Sequence, residues 1–142
     1  MKRFDLPEIF SFLLILMFSY AISSKIIDYH SFRIQLLIQP IPKWSVGILV
    51  YAIPISEILT VLFLLFKRTK IYGFYMATGL MLMFSIYVGL AMTGAFGSIP
   101  CSCGGIIGHL SWPDHLIFNL IFLSLSIYGI ITDYRERRFF GK

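Results

Sequence analysis

The sequence predicts an all-α protein, a bundle of four transmembrane helices with both termini on the cytoplasmic side. Three observations lead there. Hydrophobic residues make up 58% of the 142-residue chain and charged residues only 13%, too few charges to cover the surface of a soluble domain of this size. Four apolar stretches, at about 9–27, 46–66, 71–92 and 115–132, reach or approach the roughly 20 residues that span a bilayer as a helix. The basic residues, finally, gather in short runs beside those stretches. A net charge of +5 therefore reads as membrane topology, and no nucleic-acid partner is expected.

The first stretch follows Met1-Lys2-Arg3-Phe4, which resembles the basic start of a signal peptide. Asp5 and Glu8 interrupt that region and no clear small-x-small cleavage site follows, so a retained first helix is expected, with cleavage near Ala21 or Ser23 as the alternative. The second and third stretches are separated only by Lys67, Arg68, Thr69 and Lys70, a break short enough to make them antiparallel neighbours. Before the fourth, Ser111-Trp112-Pro113-Asp114 reads as an N-cap, a first-turn proline and an acidic first turn.

Orientation follows from the short loops. Lys2 and Arg3, the 67–70 turn, and Arg135, Arg137, Arg138 and Lys142 belong on one side if there are four spans, which makes that side cytoplasmic. The loop 93–114 has no Lys or Arg and is expected to face the non-cytoplasmic side. The first loop, 28–42, must join it there despite Lys25, Arg33 and Lys43. That loop is apolar enough to lie at the membrane surface, with Phe32, Leu36, Leu37 and Ile38 on one short face ended by Pro40 and Pro42.

Polar residues within the spans carry information because they are expensive there. Glu57 falls near the middle of the second span, where an exposed carboxylate would cost several kcal/mol, so it is expected to face the bundle interior. Pro54, one turn earlier, removes the donor for the Val50 carbonyl and is expected to kink the helix. Lys25 is a candidate partner, although counting about 1.5 Å per residue leaves it roughly 10 Å shallower than Glu57. Asp28, one turn on, competes for it. Lys25 and Glu57 are candidates for fixing helix register or for handling a quinone or protons. Asn119 is expected to hydrogen-bond between helices, and Ser19, Ser23, Ser85 and Gly89 to allow close helix packing. Met76, Met81, Met83 and Met92 share no face and read as apolar filler.

Chemistry is concentrated in Ser98-Ile99-Pro100-Cys101-Ser102-Cys103-Gly104-Gly105. A bond between Cys101 and Cys103 would close almost no loop and would stabilise the fold little. Such a small ring is strained, and strained exposed disulfides are the labile, oxidising ones. Pro100 stiffens one flank, while Gly104, Gly105 and Gly108 permit close approach of a partner. An oxidising compartment outside the inner membrane suits a bond made and broken there. Three alternatives stand: Cys101 and Cys103 as a redox pair, the same pair as a structural link, or Cys101, Cys103, His109 and His115 as ligands of zinc or copper(I).

The run 100–105, followed by Ser111-Trp112-Pro113-Asp114-His115-Leu116-Ile117-Phe118-Asn119, resembles the MauE (methylamine utilisation) family, and more closely the Bacteroidetes branch of its DoxX-like superfamily. Ser24-Lys25, Phe32-Arg33-Ile34-Gln35-Leu36 and Pro54-Ile55-Ser56-Glu57 fit the same family, so the resemblance covers nearly the whole chain, 1–142, as one domain. It implies a multi-pass protein of the bacterial inner membrane that assists maturation, processing or transport of the disulfide-rich, periplasmic methylamine dehydrogenase light subunit beside a thioredoxin-like protein. The function expected is thiol-disulfide exchange with a periplasmic partner through Cys101 and Cys103. The alternatives are a non-enzymatic DoxX-like subunit of a quinone-linked complex and a metal-handling membrane protein. Quinone-linked relays use two cysteine pairs and this chain has one, so either electrons pass directly between the pair and a quinone or another protein supplies the second pair.

Overall fold

The computed structural model describes residues 5–95 and 111–140, and those residues are helical nearly throughout. Five helices follow in order: α1 (Leu6–Ile27), α2 (Tyr29–Ile38), α3 (Lys43–Leu65), α4 (Lys70–Met92) and α5 (Trp112–Phe140). All but α2 are long and apolar enough to cross a membrane. The four expected spans are thus present, and the class is all-α. Large apolar side chains cover the outside of the long helices, among them Leu16, Ile48, Tyr51, Ile86 and Ile121. Lipid solvates such a surface and water does not.

The long helices form a ring. α1 packs on α3, α3 on α4, α4 most extensively on α5, and α5 closes back on α1, leaving α1 and α4 to meet across the diagonal. Leu14 and Phe18 of α1 meet Leu64 of α3 and Phe74, Ala77 and Met81 of α4 in the core. Two glycines permit the closest approaches. A Cβ on Gly73 would stand 2.8 Å from the backbone nitrogen of Leu64, and one on Gly129 would run into the Phe74 ring. Gly89, expected from the sequence to serve close packing, has nothing within 4 Å of where its Cβ would stand. Ser85 does sit in the packed interior, its hydroxyl donating to the Met81 carbonyl.

The α3–α4 turn is stitched by side chains that satisfy the carbonyls a helix leaves open at its last turn. Ser11 Oγ donates to the Leu64 carbonyl at 3.0 Å, and Thr69 Oγ1 donates to the Phe63 carbonyl at 3.0 Å. Lys67 and Lys70 reach Glu8 of α1 at 3.3 and 3.5 Å. α5 runs 29 residues, past the expected end at Thr132. At about 1.5 Å per residue it is roughly 43 Å long, well beyond a hydrocarbon core of about 30 Å. Its last turns hold together because Asp133 binds Arg137 Nε at 2.6 Å, and Arg137 then donates to the Lys67 carbonyl at 2.9 Å. The turn, the start of α1 and the end of α5 therefore share one end of the bundle.

At the opposite end lie α2, the end of α4 and the start of α5. Ser111 caps α5 as expected: the Asp114 N–H points to Ser111 Oγ at 3.4 Å, and Ser111 Oγ and Asp114 Oδ2 are 2.6 Å apart. α2 occupies the 28–42 connection, where a short amphipathic face was expected, but the buried face differs from the expected one. Phe32 is buried, whereas Leu37 and Ile38 are exposed. The residues turned inward are Phe32, Gln35, Leu36 and Gln39, one helical stripe at i, i+3, i+4 and i+7. α3 continues through Pro54 as one helix.

Candidate functional site

The centre of the site is an ion pair inside the bundle. Glu57 faces inward from α3 and is 1% exposed. Lys25, in the last turn of α1, reaches down to it, with Nζ 2.8 Å from Oε1 and 3.1 Å from Oε2. The two side chains, each leaning toward the N-terminus of its own helix, together bridge the difference in depth that the residue count gave. Nζ also points to the Ala21 carbonyl at 3.4 Å and lies 5.8 Å from the centre of the Phe32 ring. Both carboxylate oxygens and all three ammonium protons thus have partners, the condition under which a buried charge pair is tolerated. Asp28, expected to compete for Lys25, instead accepts from the Ser31 N–H at 3.2 Å and caps α2. Its carboxyl is held below the usual carboxylate range by Ser31, first through the side chain and then through the backbone.

Beside the pair is a cavity of about 270 Å³. Its walls are mostly apolar: Phe18 and Ala21 from α1, Leu36 from α2, Ile53 from α3, Met81 and Phe84 from α4, and Phe118 from α5. The polar lining is confined to Lys25, Glu57, Gln35, Gln39, Tyr87, His115 and Asn119. Tyr87 and Gln39 hydrogen-bond to each other and so tie α4 to the end of α2.

Three atoms at this cavity are buried with no hydrogen-bond partner among the described residues: Gln35 Oε1, His115 Nδ1 and Asn119 Nδ2. His115 is 6% exposed and Asn119 3%. A native interior leaves very few such atoms unpaired, because each costs about 1–3 kcal/mol. Asn119 was expected to bond another helix, yet its amide nitrogen does not do so. Gln35 was marked in the sequence only as part of the family run 32–36, with no role attached, and its place on the α2 stripe is legible only once Phe32 is known to point inward.

A second depression, formed by Tyr75, Ile131, Tyr134, Arg135 and Arg138, lies at the opposite end of the bundle on the α4–α5 face. It gathers none of the unpaired buried atoms.

Cys101, Cys103 and His109 lie outside the described residues. The chain enters their segment after Ala95, beyond α4, and leaves it at Ser111, before α5. Both flanks belong to the end of the bundle nearer the cavity. Of the four expected metal ligands only His115 is described, and it lines the cavity. No cluster of three or more metal-binding side chains occurs among the described residues.

Neither a search of curated proteins nor one of solved structures finds a match to this chain. A family model does: it aligns with residues 4–132, from just before α1 into the last part of α5. That span takes in the Lys25–Glu57 pair, the cavity and the Cys101–Cys103 segment together. The chain belongs to the methylamine utilisation protein MauE family, a family of membrane proteins linked to methylamine utilisation.

Proposed function

We propose that this protein is a thiol-disulfide exchange component of the bacterial inner membrane, acting through Cys101 and Cys103 on a periplasmic partner. The single observation behind this reading is the pair itself, two cysteines separated by one serine between Pro100 and two glycines. Such a pair is poor as a staple and good as an exchanging bond. The fold supports it by supplying an anchor. Its basic end carries Lys67, Arg68, Lys70, Arg135, Arg137 and Arg138 together with the start of α1 and the end of α5, and by the positive-inside rule it is the cytoplasmic end. The cysteine segment attaches at the other end.

The exchange proceeds in two displacements. A partner thiolate attacks one sulfur of the Cys101–Cys103 disulfide, breaking that bond and forming a mixed disulfide. The partner's second thiolate then attacks the mixed disulfide. The partner leaves with its own disulfide, and Cys101 and Cys103 are left as two thiols. Two electrons and two protons have passed to the pair, and the reverse sequence reduces the partner. The partner proposed is a thioredoxin-like protein or a disulfide-rich client such as the methylamine dehydrogenase light subunit, in keeping with the family's link to methylamine utilisation.

Thiol trapping in spheroplasts tests this. The pair is expected to be found in both reduced and oxidised forms, and Cys103→Ser is expected to accumulate a mixed disulfide with a periplasmic protein. A pair that stays oxidised throughout, together with a Cys101→Ser/Cys103→Ser chain that still supports the partner's maturation, would overturn it.

A further inference from the structure

We infer that the cavity beside the Lys25–Glu57 pair is a binding site for the head group of a membrane quinone. Four observations converge on that class of ligand. The cavity lies within the membrane-crossing helices, so its ligand is one that partitions into lipid. Its mostly apolar wall asks for an apolar body. Lys25 and Glu57 neutralise each other, with the ammonium bonded to both carboxylate oxygens and to the Ala21 carbonyl, so the site favours a neutral molecule over an anion or a cation. The remaining unpaired atoms are an amide donor, Asn119 Nδ2, an amide acceptor, Gln35 Oε1, and an imidazole nitrogen, His115 Nδ1, which takes either part.

A lipid acyl chain would leave all three atoms unpaired. A quinone ring pairs with a different subset of them in each redox state. In the oxidised form a carbonyl oxygen accepts from Asn119 or from a protonated His115 nitrogen. In the quinol form a hydroxyl donates to Gln35 or to an unprotonated His115 nitrogen. A volume of about 270 Å³ lies at the lower edge of the roughly 300–1,000 Å³ typical of ligand pockets. It accepts one or two fused rings and leaves the isoprenoid tail to the bilayer. The inference rests on the cavity and is independent of what Cys101 and Cys103 do.

The test is a titration of the purified full-length chain in lipid nanodiscs with menadione and with decylubiquinone, read by quenching of tryptophan fluorescence, with decane as the apolar control. Saturable quenching by a quinone, with decane silent, is the expected result. In folded Asn119→Leu and His115→Leu chains the affinity is expected to fall by about tenfold or more, the consequence of removing a buried hydrogen-bond partner. Ala21→Phe, which fills the cavity and leaves its polar atoms intact, is expected to abolish saturation. Linear, unsaturable quenching in the wild-type chain would overturn the inference and leave the cavity to water or lipid. So would saturable binding that survives in a folded Ala21→Phe chain. Cys101→Ser/Cys103→Ser is expected to titrate as the wild type does, which separates this outcome from the fate of the exchange reaction.

Discussion

The ammonium of Lys25 sits 2.8 Å from one carboxylate oxygen of Glu57 and 3.1 Å from the other, with both side chains inside the bundle. Removing either partner strands the other. Glu57→Leu and Lys25→Met are each expected to lower stability by about 3–5 kcal/mol, whereas Lys25→Met/Glu57→Leu should come close to wild type or exceed it. Thermal unfolding in detergent of the two single variants and the double variant measures the difference. Additive losses would mean that the two charges do not act as a pair.

Gly73 and Gly129 differ from the other described glycines, Gly73 lying against Leu64 and Gly129 against the Phe74 ring. Gly73→Ala and Gly129→Ala are expected to destabilise by about 1–3 kcal/mol through overpacking against Leu64 and Phe74. Gly79→Ala and Gly89→Ala meet open space and are expected to be neutral or to gain up to about 1 kcal/mol of helix propensity. Phe74→Leu should rescue Gly129→Ala in part and should leave Gly73→Ala unaffected. Unfolding temperatures across this set decide whether the approaches are as close as described.

The end of the bundle at the 67–70 turn is expected to be cytoplasmic. In a Cys101→Ser/Cys103→Ser background, a cysteine introduced by Arg68→Cys should react with a membrane-impermeant maleimide only after the cells are broken. One introduced by Ser31→Cys should react in intact spheroplasts. The opposite labelling pattern would invert the orientation proposed here.

Asp28 gives a pH dependence with a definite sign. Its carboxyl is lowered by Ser31 in the folded protein. The stability it contributes is therefore complete above the ordinary carboxylate pKa and is lost as pH falls through the lowered folded value. Amide exchange in α2 is expected to speed up, relative to the other helices, as the medium becomes acidic. Asp28→Asn should remove that dependence while keeping a side chain able to cap the helix. A wild-type α2 whose relative protection does not change with pH would contradict this account.

Much of the bundle is legible in the sequence because bilayer thickness sets helix length and charge marks the breaks. The 67–70 turn follows from those two constraints, the Ser111 cap from the chemistry of helix starts, and the inward-facing Glu57 from the cost of a lipid-exposed carboxylate. The inner faces do not follow, and the reason is physical. Lipid is as apolar as a protein core, so Leu16 on the outside and Leu14 in the core, two residues apart, look alike in composition. The same ambiguity hides the α2 stripe, where Leu37 and Ile38 are as apolar as the buried Phe32. Gly73 and Gly129 cannot be told from Gly89 until their neighbours are known. The resemblance to the MauE family, by contrast, rested on short polar and cysteine motifs, and the family match extends over 4–132.

The separation of 32 positions between Lys25 and Glu57 has a consequence for how the chain is made. By the time α3 leaves the ribosome, α1 and its lysine are already available. The carboxylate can meet its counter-ion while α4 and α5 are still unsynthesised. The first two long helices can therefore enter the bilayer as a hairpin that brings no uncompensated charge with it. The later hairpin, which carries Phe74 and Gly129, is then added against a surface whose costliest groups have already been neutralised.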